Sequence, residues 1–126
     1  LADHPEFGAL ARGMMASSWG TIGARRRFRE LADPLRTSTD PRVRYMLGYG
    51  AASLHEWDEA IEHLAFTVDH APRWIRAIGP LCDFLLARGR VAEVEGRLLD
   101  VEHTGLHDVA VDVAAFAYLS ARRRWD

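Results

Sequence analysis

Two pairs of residues in this chain have a spacing that could hold a metal ion. His103 and His107 are four residues apart, as are Glu59 and His63, and this spacing brings two side chains to one face of a helix. A Thr-Gly dipeptide interrupts the first pair, and the second lies in a run of charged residues typical of a solvated surface. We therefore expect ordinary solvated or capping roles for both pairs, with no metal and no other cofactor.

The residues that serve as nucleophiles do not form a recognisable catalytic pattern. Cys82 is the single cysteine and lies among Leu81, Phe84 and Leu85, which predicts a buried, inert thiol because reactivity needs an accessible, electropositive setting. A lone cysteine cannot form an internal disulfide, so a reducing, cytoplasmic compartment is expected. The sequence contains no HExxH element, glycine-rich phosphate loop or evident Ser-His-acid order. We therefore expect that the chain is not an enzyme.

Charge is unevenly distributed around a net value of -2. Residues 1–44 contain eight arginines and five acids, whereas residues 45–121 contain five arginines and twelve acids. The densest basic run is 25–29, but its charges would spread around a helix, and Arg26 can pair with Glu30 at i+4. Nucleic-acid binding is therefore not expected. All sixteen basic residues are arginine, a bias that favours a GC-rich bacterial source.

No part of the sequence predicts a membrane segment. No stretch approaches the roughly 18 apolar residues that a membrane helix needs. The first twenty residues lack the basic-then-apolar order of a signal peptide, because Asp3 and Glu6 interrupt it. We expect no membrane partner.

Helical periodicity is the dominant pattern. Apolar residues recur at steps of three and four, which predicts helices over 41–54, 57–70, 73–88, 91–103 and 107–121. Asp40 and Pro41 form a helix start, and Pro80 predicts either a later start or a kink in its helix. The N-terminal forty residues contain two further helical patterns, followed by a loop over 37–40. No strand-like alternation occurs, so the predicted fold class is all-α.

The helical patterns repeat at a fixed step of 34 residues. Apolar positions align in columns at this step: Trp57/Val91/Trp125, Leu47/Leu81/Ala115, Ala51/Leu85/Leu119, Ala60/Val94 and Leu64/Leu98. A step of about 34 residues is typical of stacked helix-turn-helix units. The expected organisation is a single domain, 1–126, with units over 5–40, 41–74 and 75–108 and a half unit over 109–126.

Residues 41–74 resemble the tetratricopeptide repeat. Leu47-Gly48 matches the Leu-Gly pair of that family, Trp57 its aromatic position, and Pro72 its terminal proline, with Ala60 and Leu64 at the small and bulky positions. Residues 75–108 match more loosely. The resemblance implies a short right-handed α-solenoid of about three antiparallel helix pairs. The longer first unit is similar to the roughly 40-residue helical repeats of large bacterial transcription regulators.

The resemblance also implies a binding surface, because the first helix of each unit lines the concave groove in that family. By position, the groove residues here are Arg42, Tyr45, Tyr49, Arg76 and Asp83. Tyrosine and arginine at such positions are typical of binding hot spots, although both tyrosines could equally fill space between units. The expected function is a non-catalytic scaffold for a protein or peptide partner. The alternative is a signal- or ligand-sensing segment of a bacterial transcription regulator.

The last unit lacks a second helix. We expect Trp125 to begin a helix that the chain does not contain, which would leave apolar side chains of the preceding helix uncovered: Val109, Val113, Phe116 and Leu119. We therefore expect either a fragment of a longer protein or self-association through the C-terminal helix.

Overall fold

A computed structural model describes residues 5–105 and 109–125, except for the side chains of residues 5–7, 110, 124 and 125. Within those ranges the chain forms seven α-helices and no strand, which confirms the all-α prediction. The helices are α1 Pro5–Thr21, α2 Arg25–Ala32, α3 Pro41–Ser53, α4 Trp57–His70, α5 Ile78–Ala87, α6 Val91–Thr104 and α7 Val109–Trp125. Short 3₁₀ turns follow α2 at Asp33–Leu35 and precede α5 at Ile75–Ala77.

Local residue chemistry explains where these helices begin and end. The Asp40 carboxylate accepts a hydrogen bond from the backbone N–H of Arg42 at 2.9 Å, which caps α3 as predicted. Helix α5 begins at Ile78, so Pro80 lies in its first turn, where its missing N–H breaks no helical hydrogen bond. Gly105 has φ of 71° and ends α6 in a left-handed conformation.

The helices pack mainly against their near neighbours in the chain. Helix α1 lies against α2 and α3, α3 against α4, and α5 against α4, α6 and α7. One buried cluster is formed by α1 to α4 around Phe28 and Leu47. A second lies around Leu64, Leu81 and Val94. The first two members of the Leu47, Ala51 and Ala60 columns are fully or almost fully buried, as the 34-residue register predicts.

Helices α1 and α3 cross with two glycines, Gly20 and Gly50, at their contact. A Cβ atom added at Gly20 would lie 2.7 Å from both the Cα and the carbonyl oxygen of Gly50. Such a separation is shorter than real Cβ atoms show against backbone, so the packing requires glycine at this crossing. A Cβ atom added at Gly50 would also meet the phenyl ring of Phe28.

One expectation for the C-terminal unit is wrong and another is confirmed. Trp125 lies at the end of α7 and does not begin a new helix. The four residues before it contain no glycine or proline, so nothing in the sequence interrupts the helix there. The expected exposure of this helix is confirmed, because Val109, Val113, Phe116 and Leu119 are all exposed. Leu119 thus differs from Ala51 and Leu85 of the same column, which are buried.

Trp57 lies where α4 meets α5. Its ring lies 5.3 Å from the ring of Phe84 on α5 and stacks on His55 in the preceding turn. The indole is half-buried and packs against the first core cluster. It therefore joins α4 to α5 at the boundary between the two clusters.

Candidate functional site

Three aromatic rings meet on the side of α3 that faces the connection between α4 and α5. The ring centroids of Tyr45 and Tyr49 are 4.8 Å apart in an edge-on arrangement. Tyr45 also lies 4.6 Å from the ring of Trp74, which precedes α5. Helices α3 and α5 make little direct contact with each other, so these rings occupy the space between them. We call Tyr45, Tyr49 and Trp74 the aromatic cluster.

The two tyrosines differ in their surroundings. Tyr45 is half-buried and packs against the second core cluster. Burial first, and then a hydrogen bond to Tyr49, raise the pKa of Tyr45 well above its usual range, against the opposing effect of the nearby Arg76 charge. Tyr49 is 37% exposed. Tyr45 therefore fills space between helices, whereas Tyr49 presents an accessible edge to solvent.

The remaining predicted site residues lie at different distances from the aromatic cluster. Arg76 is exposed in the 3₁₀ turn before α5 and is close enough to act on Tyr45. Arg42 lies one turn before Tyr45 on α3, and its Nε and Nη2 atoms donate to the Asp40 carboxylate at 3.1 and 2.8 Å. Asp83 is exposed on α5, and desolvation raises the pKa of its carboxyl.

Trp74 is the member of the cluster that the sequence analysis did not assign to the site. Its place in the apolar pattern of residues 73–88 indicated a core position. The residue instead lies before the 3₁₀ turn at half burial, with its ring on Tyr45. An aromatic residue two positions after Pro72 was the available signal.

A buried polar network connects α2, α3 and α4, and its existence corrects the expectation of a solvated Glu59–His63 pair. His63 is 1% exposed, and the side chain of Glu59 is also largely buried. Arg44 of α3 is buried beside them, and its Nε donates to Nδ1 of His63 at 2.8 Å. Arg29 of α2 reaches Glu59 at 2.6 Å. Glu59 and His63 therefore lie in the interface between helices, whereas the neighbouring Glu62 side chain is exposed.

The geometry of the network assigns the proton on His63. Because Nδ1 accepts from Arg44, the neutral ring carries its proton on Nε2, 3.6 Å from Oε1 of Glu59. This distance is slightly longer than a normal hydrogen bond, and neither atom has another partner. Arg44 further lies 4.2 Å above the ring of Phe66 and donates to the Ser38 carbonyl at 3.3 Å. The network joins three helices and faces inward, so it serves packing.

The network makes the free energy of unfolding depend on pH in the acidic range. The contact with His63 first, and the Arg29 bond as well, hold the pKa of Glu59 below its ordinary value of 4.5, against the effect of burial. The stability that Glu59 supplies is therefore complete above pH 4.5 and is lost as the pH falls through the lower, folded-state pKa. Between about pH 6 and pH 3, the free energy of unfolding should fall less in Glu59→Gln than in the wild type. Urea unfolding at each pH measures this difference.

Asp40 also contributes to the loss of stability in acid, because Arg42 holds the pKa of that carboxyl below its usual value. The Glu59→Gln protein should therefore keep a shallower but nonzero acid dependence. A variant whose acid dependence matches the wild type would show that Glu59 does not carry this contribution.

A cavity of about 490 Å³ lies between α6 and α7. Its apolar lining includes Leu98, Val111 and Ala115. At one side, the Tyr118 hydroxyl donates to Glu95 at 2.8 Å and accepts from Arg122 at 3.2 Å. The cavity thus combines an apolar lining with a short chain of polar side chains.

The residues considered for metal binding and nucleophilic chemistry do not assemble into a site in the described chain. Cys82 is fully buried, as predicted, and burial raises the pKa of its thiol to about 12. His103 is exposed in the last turn of α6, and His107 lies outside the described residues. No group of three possible metal ligands gathers within 5–105 and 109–125. In the same ranges, no helix has the length and apolar character required to cross a bilayer.

Comparison with known proteins adds no family to this description. The chain matches no family model, no curated protein and no solved structure with which it was compared. The resemblance to the tetratricopeptide repeat therefore rests on the residues and their spacing.

Proposed function

We propose that this chain is a non-catalytic helical-repeat module that binds a protein or peptide at the aromatic cluster. We also propose that its helices form a solenoid of stacked, antiparallel pairs of the tetratricopeptide type. The observation that carries it is the contact of Tyr45, Tyr49 and Trp74 between α3 and α5, beside the exposed Arg76. The 34-residue columns and the Leu47-Gly48 and Trp57 matches support the repeat assignment.

The composition of the cluster indicates the chemistry of the partner. Aromatic rings that are already held against each other lose little conformational entropy when a partner covers them. The edge of Tyr49 and the Trp74 ring offer apolar contact, and Arg76 can pair with a carboxylate. A peptide with an aromatic or aliphatic side chain next to an acidic residue fits this combination.

Peptides selected from a random library for binding to the wild-type chain provide a direct test. We expect Tyr49→Ala to weaken their binding by about 2 kcal/mol, or roughly 30-fold, because Tyr49 is the accessible member of the cluster. Fluorescence anisotropy with a labelled peptide measures this change. Helicity should stay at the wild-type level, because Tyr49 is already exposed, whereas Tyr45→Ala should also reduce stability.

Ile22→Ala is the matched control, because this apolar side chain is exposed in the turn after α1 and is not part of the aromatic cluster. Its affinity for the selected peptides should equal that of the wild type. Peptides that bind equally well to the Tyr49→Ala protein would place the binding surface elsewhere, with the Arg25–Arg29 surface as the next position to test.

A second candidate function is the sensing of a small ligand within a bacterial transcription regulator. The cavity between α6 and α7 favours it, because about 490 Å³ is a suitable volume for a small molecule and the lining combines apolar and polar groups. A compound that raises the unfolding temperature of the wild type, but not of a variant with the cavity filled by Ala115→Phe, would favour this function.

A further inference from the structure

Helix α7 presents an uncovered face on which side chains recur every three or four residues. Val109 is 75% exposed and Phe116 is 73% exposed. Among the aromatic side chains whose burial the structure describes, all others are largely or partly covered. The exposed side chains of this face are Val109, Asp112, Val113, Phe116, Leu119, Ser120 and Arg123. We call these seven residues the α7 stripe. Its spacing is that of a helix that packs along another helix.

The α7 stripe is complementary to itself when a second copy runs in the opposite direction. Val113 and Leu119 lie three residues before and after Phe116. An antiparallel pairing centred on Phe116 therefore sets Phe116 against its own copy and Val113 against the partner's Leu119. A two-fold axis produces each of these contacts twice.

The charges of the stripe favour the same arrangement. Asp112, which also has a contact within its own chain, lies near the N-terminal end of the stripe, and Arg123 lies at its C-terminal end. In the antiparallel pairing, the partner's Arg123 lies opposite Val109, about 4.5 Å along the axis from Asp112, within reach of a long side chain. A parallel pairing would instead set carboxylate against carboxylate and guanidinium against guanidinium.

We infer that α7 is a homodimerisation surface that pairs antiparallel with α7 of a second copy. This interaction is independent of the aromatic cluster, which lies on α3 and the connection before α5. A contact of one 17-residue helix with its copy belongs to the small, weak class of interfaces, so the dissociation constant should lie in the micromolar range.

Analytical ultracentrifugation over a concentration series tests the surface. We expect a reversible monomer–dimer equilibrium in the wild type and at least about tenfold weaker association in Phe116→Asp, because the change falls at the axis and acts in both subunits. Ile22→Asp is the matched control, because this apolar residue is equally exposed but lies in the turn after α1. Circular dichroism should report unchanged helicity in both variants.

Charge reversal tests the antiparallel register. Asp112→Arg and Arg123→Asp should each weaken self-association by roughly tenfold, because each brings like charges together in the dimer. An equimolar mixture of the two variants should recover it, because every charge contact in the mixed dimer again joins opposite signs. A chain that stays monomeric at all concentrations would overturn the inference, as would a dimer insensitive to Phe116→Asp. A mixture that associates no better than its components would overturn the antiparallel pairing.

Discussion

Replacing Gly20 by alanine is expected to lower the free energy of unfolding by about 3 kcal/mol or more. The new methyl group would lie 2.7 Å from two backbone atoms of Gly50. A flexible side chain could rotate away from such a contact, whereas the backbone of α3 can move only with the helix, so α1 and α3 must separate. The separation would open the first core cluster around Phe28 and Leu47.

Gly96→Ala is the matched control for this prediction. Gly96 lies within α6, and a Cβ atom added there meets nothing within 4 Å. The same substitution should therefore stabilise the chain by about 0.5–1 kcal/mol, because alanine favours the helix. Urea unfolding of both variants measures the difference. Equal, small changes in the two proteins would show that α1 and α3 do not approach as closely as the structure describes.

Replacing His63 by leucine is expected to cost about 3 kcal/mol of unfolding free energy. Leucine fills much of the imidazole volume, but it leaves the Nε–H of Arg44 without its acceptor inside the protein. Burial already lowers the pKa of Arg44, which shows that its charged form is disfavoured at this position. A charged group that loses its buried hydrogen-bond partner is among the costlier single changes in a protein.

A double-mutant cycle separates this effect from lost packing. Arg44→Met with His63→Leu removes both polar groups, so the double variant should be at least about 1 kcal/mol more stable than the sum of the single changes predicts. Thermal and urea unfolding of the four proteins supply the cycle. Additive losses would mean that Arg44 and His63 contribute through packing alone, without the hydrogen bond between them.

The part of the fold that the sequence predicts best is α3 with α4. Their boundaries follow from Asp40 and Pro41 at one end and from apolar steps of three and four through Leu47 and Leu64. These signals are local, so they do not depend on how the helices pack in the tertiary structure. Buried columns such as Leu47/Leu81 were predictable for the same reason, since the repeat step needs no knowledge of how units pack.

Features that depend on packing between helices were not predictable from spacing. Glu59 and His63 have the same i, i+4 separation whether they face solvent or a neighbouring helix. Their burial depends on Arg29 and Arg44, which come from α2 and α3. Similarly, Trp74 belongs to the aromatic cluster because the 3₁₀ turn before α5 sets its direction toward Tyr45. The apolar pattern alone assigned it to the core.

The position of a bound peptide on the chain tests the proposed function most directly. Backbone amide and indole N–H signals of the labelled protein can be followed by NMR while a library-selected peptide is added. Binding at the aromatic cluster predicts that the largest shifts fall on Tyr45, Tyr49 and residues 74–76, with the Trp74 indole signal among them. Shifts confined to α7 or to residues 25–29, with the Trp74 indole unchanged at saturation, would contradict a binding site at the aromatic cluster.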